Sequence, residues 1–165
     1  MERLGQNIRS MNERYIRQTM IPEIGEAGQE KLKNAKVLIV GIGGLGSPIS
    51  LYLTAAGVGQ IGLIDDDIVS SSNLQRQILY TEAEIGQSKV ECACRRLSAL
   101  NSSTRFETYP NRFTSDNADR LVSTYDIIVD GCDNAATRYL IDDVCSCFKK
   151  PYVYGAISEF RGQVS

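Results

Sequence analysis

The chain contains no histidine and no tryptophan in its 165 residues. Without imidazole there is no His general base, no Ser–His–Asp triad and none of the His ligands on which most catalytic zinc sites rely. The five cysteines are an odd number and no two are spaced CxxC, which speaks against both a disulfide framework and a zinc site. Cys92/Cys94 and Cys145/Cys147 fall in stretches that read as helices, where side chains two apart point to different faces and chelate poorly. All five read as partly buried thiols of a cytoplasmic protein. No apolar run reaches the length of a membrane span, and the N-terminal MERLGQNIRSMNERY carries charge without an apolar centre, so it is not a secretory signal. A formal net charge of −2 and the lack of any basic block argue against a nucleic-acid surface. The lysine of a GxxxxGK[ST] loop is missing as well, which argues against a P-loop NTPase.

What is present is organised around Lys36–Ser47, KVLIVGIGGLGS. Val37–Val40 is an unbroken aliphatic run of the kind buried on both faces of a parallel sheet. Gly41, Gly43, Gly44 and Gly46 follow, and then an apolar segment to Ala56 that reads as a helix. A strand, a glycine turn and a helix start aim unpaired backbone N–H groups and a positive helix end at one spot, which suits phosphate. Gly41 and Gly43 let the backbone turn tightly and approach a ligand. A tight βα turn with no ligand is the alternative.

Asn12 to Gln18 reads as the start of a helix capped by Asn12, and Gly25 to Asn34 as a second short helix. Strands are predicted at Gln60–Ile64, Arg105–Tyr109, Tyr125–Asp130 and Tyr152–Ala156, and helices at Ser88–Leu100, Asp116–Val122 and Ala135–Phe148. Phe160 to Ser165 looks like the opening of a further strand, as in a fragment of something longer. This alternation implies one α/β domain with a Rossmann-like, doubly wound, mostly parallel sheet and helices on both faces.

Ligands of such sheets sit outside the C-terminal strand ends, where Asp65, Asp130 and Asp133 fall. Asp65 follows Gly43 by about twenty residues, the spacing at which a carboxylate reaches a ribose hydroxyl. A solvated acidic turn describes Asp66 and Asp67 better than Asp65. Asn73, Arg76 and Gln77 come next, and Lys89 opens a helix. A dehydrogenase has no need of this cationic pair. A triphosphate attacked at its α-phosphate does, because charge shifts onto the departing pyrophosphate. Taken singly, Arg76 and Lys89 would read as surface charges. Asp133 could hold Mg²⁺ or cap the helix that starts near Asn134.

Five motifs occur in order: ERYIRQ (Glu13–Gln18), GIGGLGSP (Gly41–Pro48), SNLQRQ (Ser72–Gln77), GQSK (Gly86–Lys89) and DGCDNAATR (Asp130–Arg138). On these the chain resembles the ThiF/MoeB/HesA family of ubiquitin-activating-enzyme-like adenylyltransferases from Glu13 to Val164. The resemblance implies that the chain, with a helical arm over about residues 1–34, adenylylates the C-terminal glycine of a small β-grasp sulfur carrier (ThiS- or MoaD-like) with ATP and Mg²⁺. It implies that Gly41, Gly43, Gly44 and Gly46 face the nucleotide and that Asp65 binds the ribose. Asn73, Arg76, Gln77 and Lys89 are implied to contact phosphates and Asp133 to serve Mg²⁺. Arg17 is implied to reach into a neighbouring subunit's site, which makes the protein a homodimer.

The family's CxxC pairs are absent, so no zinc is expected within this chain, and Cys132 reads as packed at a strand end rather than as a nucleophile. SNLQRQILYTEAEI is slightly closer to thiamine-pathway members than to molybdopterin ones. Two other readings stand beside this one. The first is a non-catalytic nucleotide-binding and dimerisation module of the same fold. The second is an NAD(P)-dependent oxidoreductase, against which stand Arg76, Lys89 and the lack of a His or YxxxK proton-transfer group.

Overall fold

The computed structural model describes residues 13–165. Residues 13–19 are helical (α1); the cap expected at Asn12 lies outside the described residues. α2 (Gly25–Asn34) leads into β1 (Lys36–Val40), whose four apolar residues Val37 to Val40 are all buried. β1 is central because it has parallel neighbours on both sides. β2 (Gln60–Ile64) pairs along its whole length, from Lys36↔Gln60 to Val40↔Ile64, and β4 (Ile127–Asp130) pairs from Val37↔Ile127 to Val40↔Asp130. With β3 (Arg105–Tyr109) and β5 (Tyr152–Val153) outside them, the order is β3-β2-β1-β4-β5. The chain reverses its direction of travel between β1 and β4, and the ends of those strands form the crevice at which such sheets bind ligands.

Alternate residues of β1 build two cores. Val37 and Ile39 face one side with Ile61, Leu63 and the Val90, Ala93 and Leu97 stripe of α4 (Lys89–Leu100), against which Ile49 and Leu53 of α3 (Gly46–Ala56) pack. Leu38 and Val40 face the other side with Ile128, Leu121 and Val122 of α5 (Ser115–Thr124), and Ile141 and Cys145 of α6 (Ala135–Phe148). α3 ends at Gly57, whose φ of 89° is the left-handed cap that glycine adopts without strain. Pro48 sits in the first turn of α3, where no intrahelical acceptor waits for its missing N–H. α5 begins one residue before its expected start, because Thr114 and Asn117 form a reciprocal capping box.

Two predicted strands differ from the observed ones. The strand expected from Tyr125 starts at Ile127: Tyr125 ends α5, and its wholly buried ring places the hydroxyl 3.0 Å from that of Tyr109. The strand expected over Tyr152–Ala156 is two. After Val153 the chain leaves the sheet, and the Tyr154 N–H and C=O both bond to Ser165. β6 (Gly155–Ser158) then pairs antiparallel with β7 (Arg161–Val164) in a separate ribbon. Alternation along the sequence cannot show that a strand changes partner midway.

Gly62 lies between β1 and β3, where a side chain would collide with the hydroxyl of Tyr125 and stand 2.9 Å from Leu38 Cδ1. Gly62→Ala therefore overpacks this core. It is expected to lower the urea-unfolding free energy by about 1–3 kcal/mol, read as a lower midpoint with an unchanged slope.

Candidate functional site

Beyond the C-terminal ends of β1, β2 and β4 lies a cleft of about 610 Å³. Its floor is the glycine loop. Gly41 has a φ of +86°, and a Cβ there would stand 2.9 Å from the carbonyl of Gly131, so the loops after β1 and β4 touch backbone to backbone. Gly43 and Gly44 line the cleft. Gly46 does not. It is buried beneath the loop, where any side chain would strike the Gly41 carbonyl oxygen. Among the described residues the N–H groups of Gly43, Gly44 and Leu45 have no acceptor, as the start of a helix leaves them.

Asp65 stands at the end of β2 with each carboxylate oxygen engaged. Oδ2 accepts the Ile42 N–H at 2.7 Å and Oδ1 accepts the Asp67 N–H at 2.9 Å. The Ile42 carbonyl in turn accepts the buried Tyr80 hydroxyl at 2.8 Å, so one residue of the loop is held through the peptide groups on both of its sides. Burial lifts the Asp65 carboxyl above its usual range, opposed by those two backbone bonds and by the nearby Lys89 cation.

The residues after β2 curl into a short turn over the loop. The Asn73 carbonyl accepts the N–H groups of both Arg76 and Gln77. The exposed Arg76 lays its Cδ 3.5 Å from the point where a Gly44 side chain would begin, so a bare glycine leaves room for this arginine. Gln77 is buried, with its Nε2 over Gly43, and its Oε1 has no hydrogen-bond partner among the described residues. Lys89 is not the surface charge that it would be taken for singly. Its side chain is 4 % exposed, and Nζ donates to Asp67 Oδ2 at 2.8 Å.

On the β4 side, Asp133 is exposed, lines the cleft and forms no hydrogen bond or ion pair among the described residues. The capping role considered for it belongs to Asn134, whose Oδ1 accepts the Thr137 N–H at 2.8 Å. Asp130 is withdrawn from the cleft. It is wholly buried and accepts from Arg138 Nε at 2.9 Å, the Tyr152 hydroxyl at 3.0 Å and the Cys132 N–H at 2.8 Å. Arg138 also donates to the carbonyls of Cys132 and Gly155 and covers the ring of Tyr154. The arginine thereby fastens the loop after β4 to α6 and the β6–β7 ribbon. Burial and the adjoining Asp130 carboxylate push the Cys132 thiol up to about 12, so it is a neutral thiol at physiological pH.

The cleft thus gathers Gly41, Gly43, Gly44, Asp65, Asn73, Arg76, Gln77, Lys89 and Asp133, and leaves out Gly46 and Arg17. Arg17 lies exposed on α1. Sequence reading missed Arg112, Thr137 and Arg138, which also line the cleft. Arg138 had a signal, since it stands on the second turn of a helix that starts at a strand end. Arg112 lies in a loop with no periodicity to mark it.

The ThiF family model matches residues 15–165. The chain belongs to the ThiF family. Over 153 residues it is 50% identical to the sulfur carrier protein adenylyltransferase of Thermus thermophilus, covering 93% of this chain and 56% of that protein. Over 152 residues it is 49% identical to the probable adenylyltransferase/sulfurtransferase MoeZ of Mycobacterium tuberculosis, covering 92% of this chain and 39% of that one. This ThiF-family chain therefore spans about half, or less, of the length of these relatives. Among solved structures, Escherichia coli tRNA N6-threonylcarbamoyladenosine dehydratase TcdA in complex with ATP superposes with a TM-score of 0.80 at 28% identity, over 87% of this chain and 58% of TcdA. No helix among the described residues is long and apolar enough to cross a membrane.

Two outcomes follow from the β4 side. Arg138→Ala strands a buried carboxylate and is expected to cost about 3–5 kcal/mol of stability in urea unfolding, whereas Arg138→Lys keeps the charge and loses less. Alkylation with iodoacetamide at pH 8 is expected to modify the exposed Cys147 first, with Cys132 slower because its thiolate is scarce. Mass mapping of partly alkylated protein reads the order.

Proposed function

We propose that this chain is the ATP-binding adenylation domain of an enzyme that activates the C-terminal glycine carboxylate of a small ubiquitin-like (β-grasp) sulfur carrier of the ThiS or MoaD kind. The observation that carries the reading is that one cleft holds a carboxylate at ribose spacing beside a glycine loop, together with Arg76, Lys89 and an uncommitted Asp133. The names of the adenylyltransferase relatives and the ATP complex of TcdA support it.

In this reading the ribose hydroxyls lie against Asp65, and the phosphates run over the N–H groups of Gly43 and Gly44. A carrier carboxylate oxygen attacks the α-phosphorus. The bond from that phosphorus to the bridging oxygen breaks, giving an acyl-adenylate and pyrophosphate. The attacking group is already ionised at neutral pH, so the step needs no general base, in keeping with a chain that has no histidine. Arg76 and Lys89 stabilise the charge that accumulates on the departing pyrophosphate, and Asn73 and Gln77 orient its oxygens. Gln77 brings a buried carbonyl with no partner of its own, which suits a hydroxyl or metal-bound water of the bound nucleotide. Gly46 serves the loop's shape rather than touching ligand.

Asp133 offers a free, hard carboxylate oxygen of the type that Mg²⁺ accepts, and the ion would neutralise phosphate charge. The oxygens of Asp65, Asp66 and Asp67 also cluster within 4.8 Å. Asp65 is committed to two backbone N–H groups and Asp67 to Lys89, so Asp133 is the better ligand. Arg17, exposed on α1 and outside its own cleft, is assigned to the active site of the second subunit of a homodimer.

Exchange of pyrophosphate into ATP tests the reading. It is expected to require Mg²⁺ and a carrier ending in Gly-Gly, and to fall roughly 10²-fold or more in Arg76→Ala and in Lys89→Ala. Exchange indifferent to the carrier contradicts the proposal, and ATP binding without exchange identifies a non-catalytic module.

A further inference from the structure

Lys89 is an expensive residue for its position. It is the first residue of α4, where the helix end carries positive charge and disfavours a cation. It is also buried, and burial disfavours the charged form. Neither helix stability nor packing explains a lysine there. The Asp67 carboxylate, 2.8 Å from Nζ, is the single hydrogen-bond partner of the ammonium among the described residues. The burial is lopsided, since the Asp67 side chain is 68% exposed and that of Lys89 is 4% exposed. The loop rather than the helix therefore brings the charge that makes this cation tenable.

Backbone contacts fix where Asp67 stands. Its carbonyl accepts the Lys89 N–H at 3.1 Å, Ile68 bridges to Ser88, and Val69 exchanges bonds with Gln87 and Gly86. Its own N–H donates to Asp65 Oδ1. One residue thus touches both the ribose-side carboxylate and the phosphate-side cation. An ammonium has three donors. Asp67 takes one, and two remain for oxygens in the cleft that Lys89 lines.

We propose that Asp67 is the positioning residue that holds the Lys89 ammonium in the cleft, in register with Asp65, so that it meets the phosphates of a bound nucleotide. The inference rests on the nucleotide reading above. Asp67 itself touches no phosphate, because its carboxylate would repel one. It acts through Lys89. Without it, the cation lies buried at the positive end of its own helix with no counter-charge, and it swings away from the phosphate path.

The test is calorimetric titration of the whole chain with Mg²⁺–ATP and, separately, with adenosine, which lacks phosphates. The variants are Asp67→Ala, Lys89→Ala, the double variant and Asp67→Asn. Asp67→Ala is expected to weaken Mg²⁺–ATP binding roughly tenfold while adenosine binds as it does to the wild type. In the Lys89→Ala background it is expected to weaken ATP no further, because its effect passes through that lysine. Asp67→Asn, which keeps an acceptor oxygen but not the charge, is expected to fall between. The backbone bridge does not depend on the Asp67 carboxylate, so the variants are expected to fold. Parallel weakening of ATP and adenosine overturns the inference by showing a merely structural role. So do additive losses in the double variant, or unchanged ATP binding in Asp67→Ala where Lys89→Ala weakens it. A wild-type chain that binds adenosine but gains nothing from the phosphates of Mg²⁺–ATP overturns the nucleotide reading and this inference with it.

Discussion

The bond from the Ile42 N–H to the Asp65 carboxylate ties the end of β2 to the loop after β1, beside the crevice that the strand order creates. Asp65 is largely removed from water, and that burial alone would make its charge unwelcome. Two backbone N–H groups and a nearby cation offset part of this. In return, the carboxylate and the Tyr80 hydroxyl fix the peptide groups on both sides of Ile42. With Ile42 fixed, Gly41 turns with positive φ, Gly46 tucks beneath the loop, and among the described residues the N–H groups of Gly43, Gly44 and Leu45, just before α3, have no acceptor.

The rest of the molecule supports this geometry with ordinary means. The two apolar cores flank β1, and the capping box of α5 and the glycine cap of α3 are inexpensive local solutions. Three distinctive features lie at the cleft. They are a lysine at a helix N-terminus, a buried glutamine oxygen without a partner and an arginine laid over bare glycine. A buried cation and an unmet polar atom at one place are what a preorganised ligand site looks like before the ligand supplies the missing contacts.

The sequence made most of the fold legible because its signals were local and mutually consistent. An aliphatic run followed by a glycine turn and an Ala-rich helix has one inexpensive arrangement, and β1 and α3 formed as read. The same locality explains the errors. Tyr125 looked like strand because β-propensity cannot see that its ring packs under Gly62 after a helix end. The segment after Val153 looked continuous because the switch to pairing with Ser165 is a long-range choice. At the site, residue types at strand ends pointed to Asp65, Arg76, Lys89 and Asp133, and all four line the cleft. Asp130 looked equivalent from sequence, yet its partners Arg138 and Tyr152 lie 8 and 22 residues away and bury it as a structural anchor. The pairing of Lys89 with Asp67, also 22 residues apart, was hidden for the same reason.

The central claim is that the glycine loop and Asp65 serve a triphosphate nucleotide rather than a dinucleotide. Thermal unfolding of the chain with saturating Mg²⁺–ATP, set against the same chain with NADH, tests it most directly. A ligand at a hundred times its dissociation constant adds about 2.7 kcal/mol, which shifts the midpoint of a domain of this size by several degrees. The account predicts a raised midpoint with Mg²⁺–ATP and none with NADH. Stabilisation by NADH equal to or greater than that by Mg²⁺–ATP would contradict it.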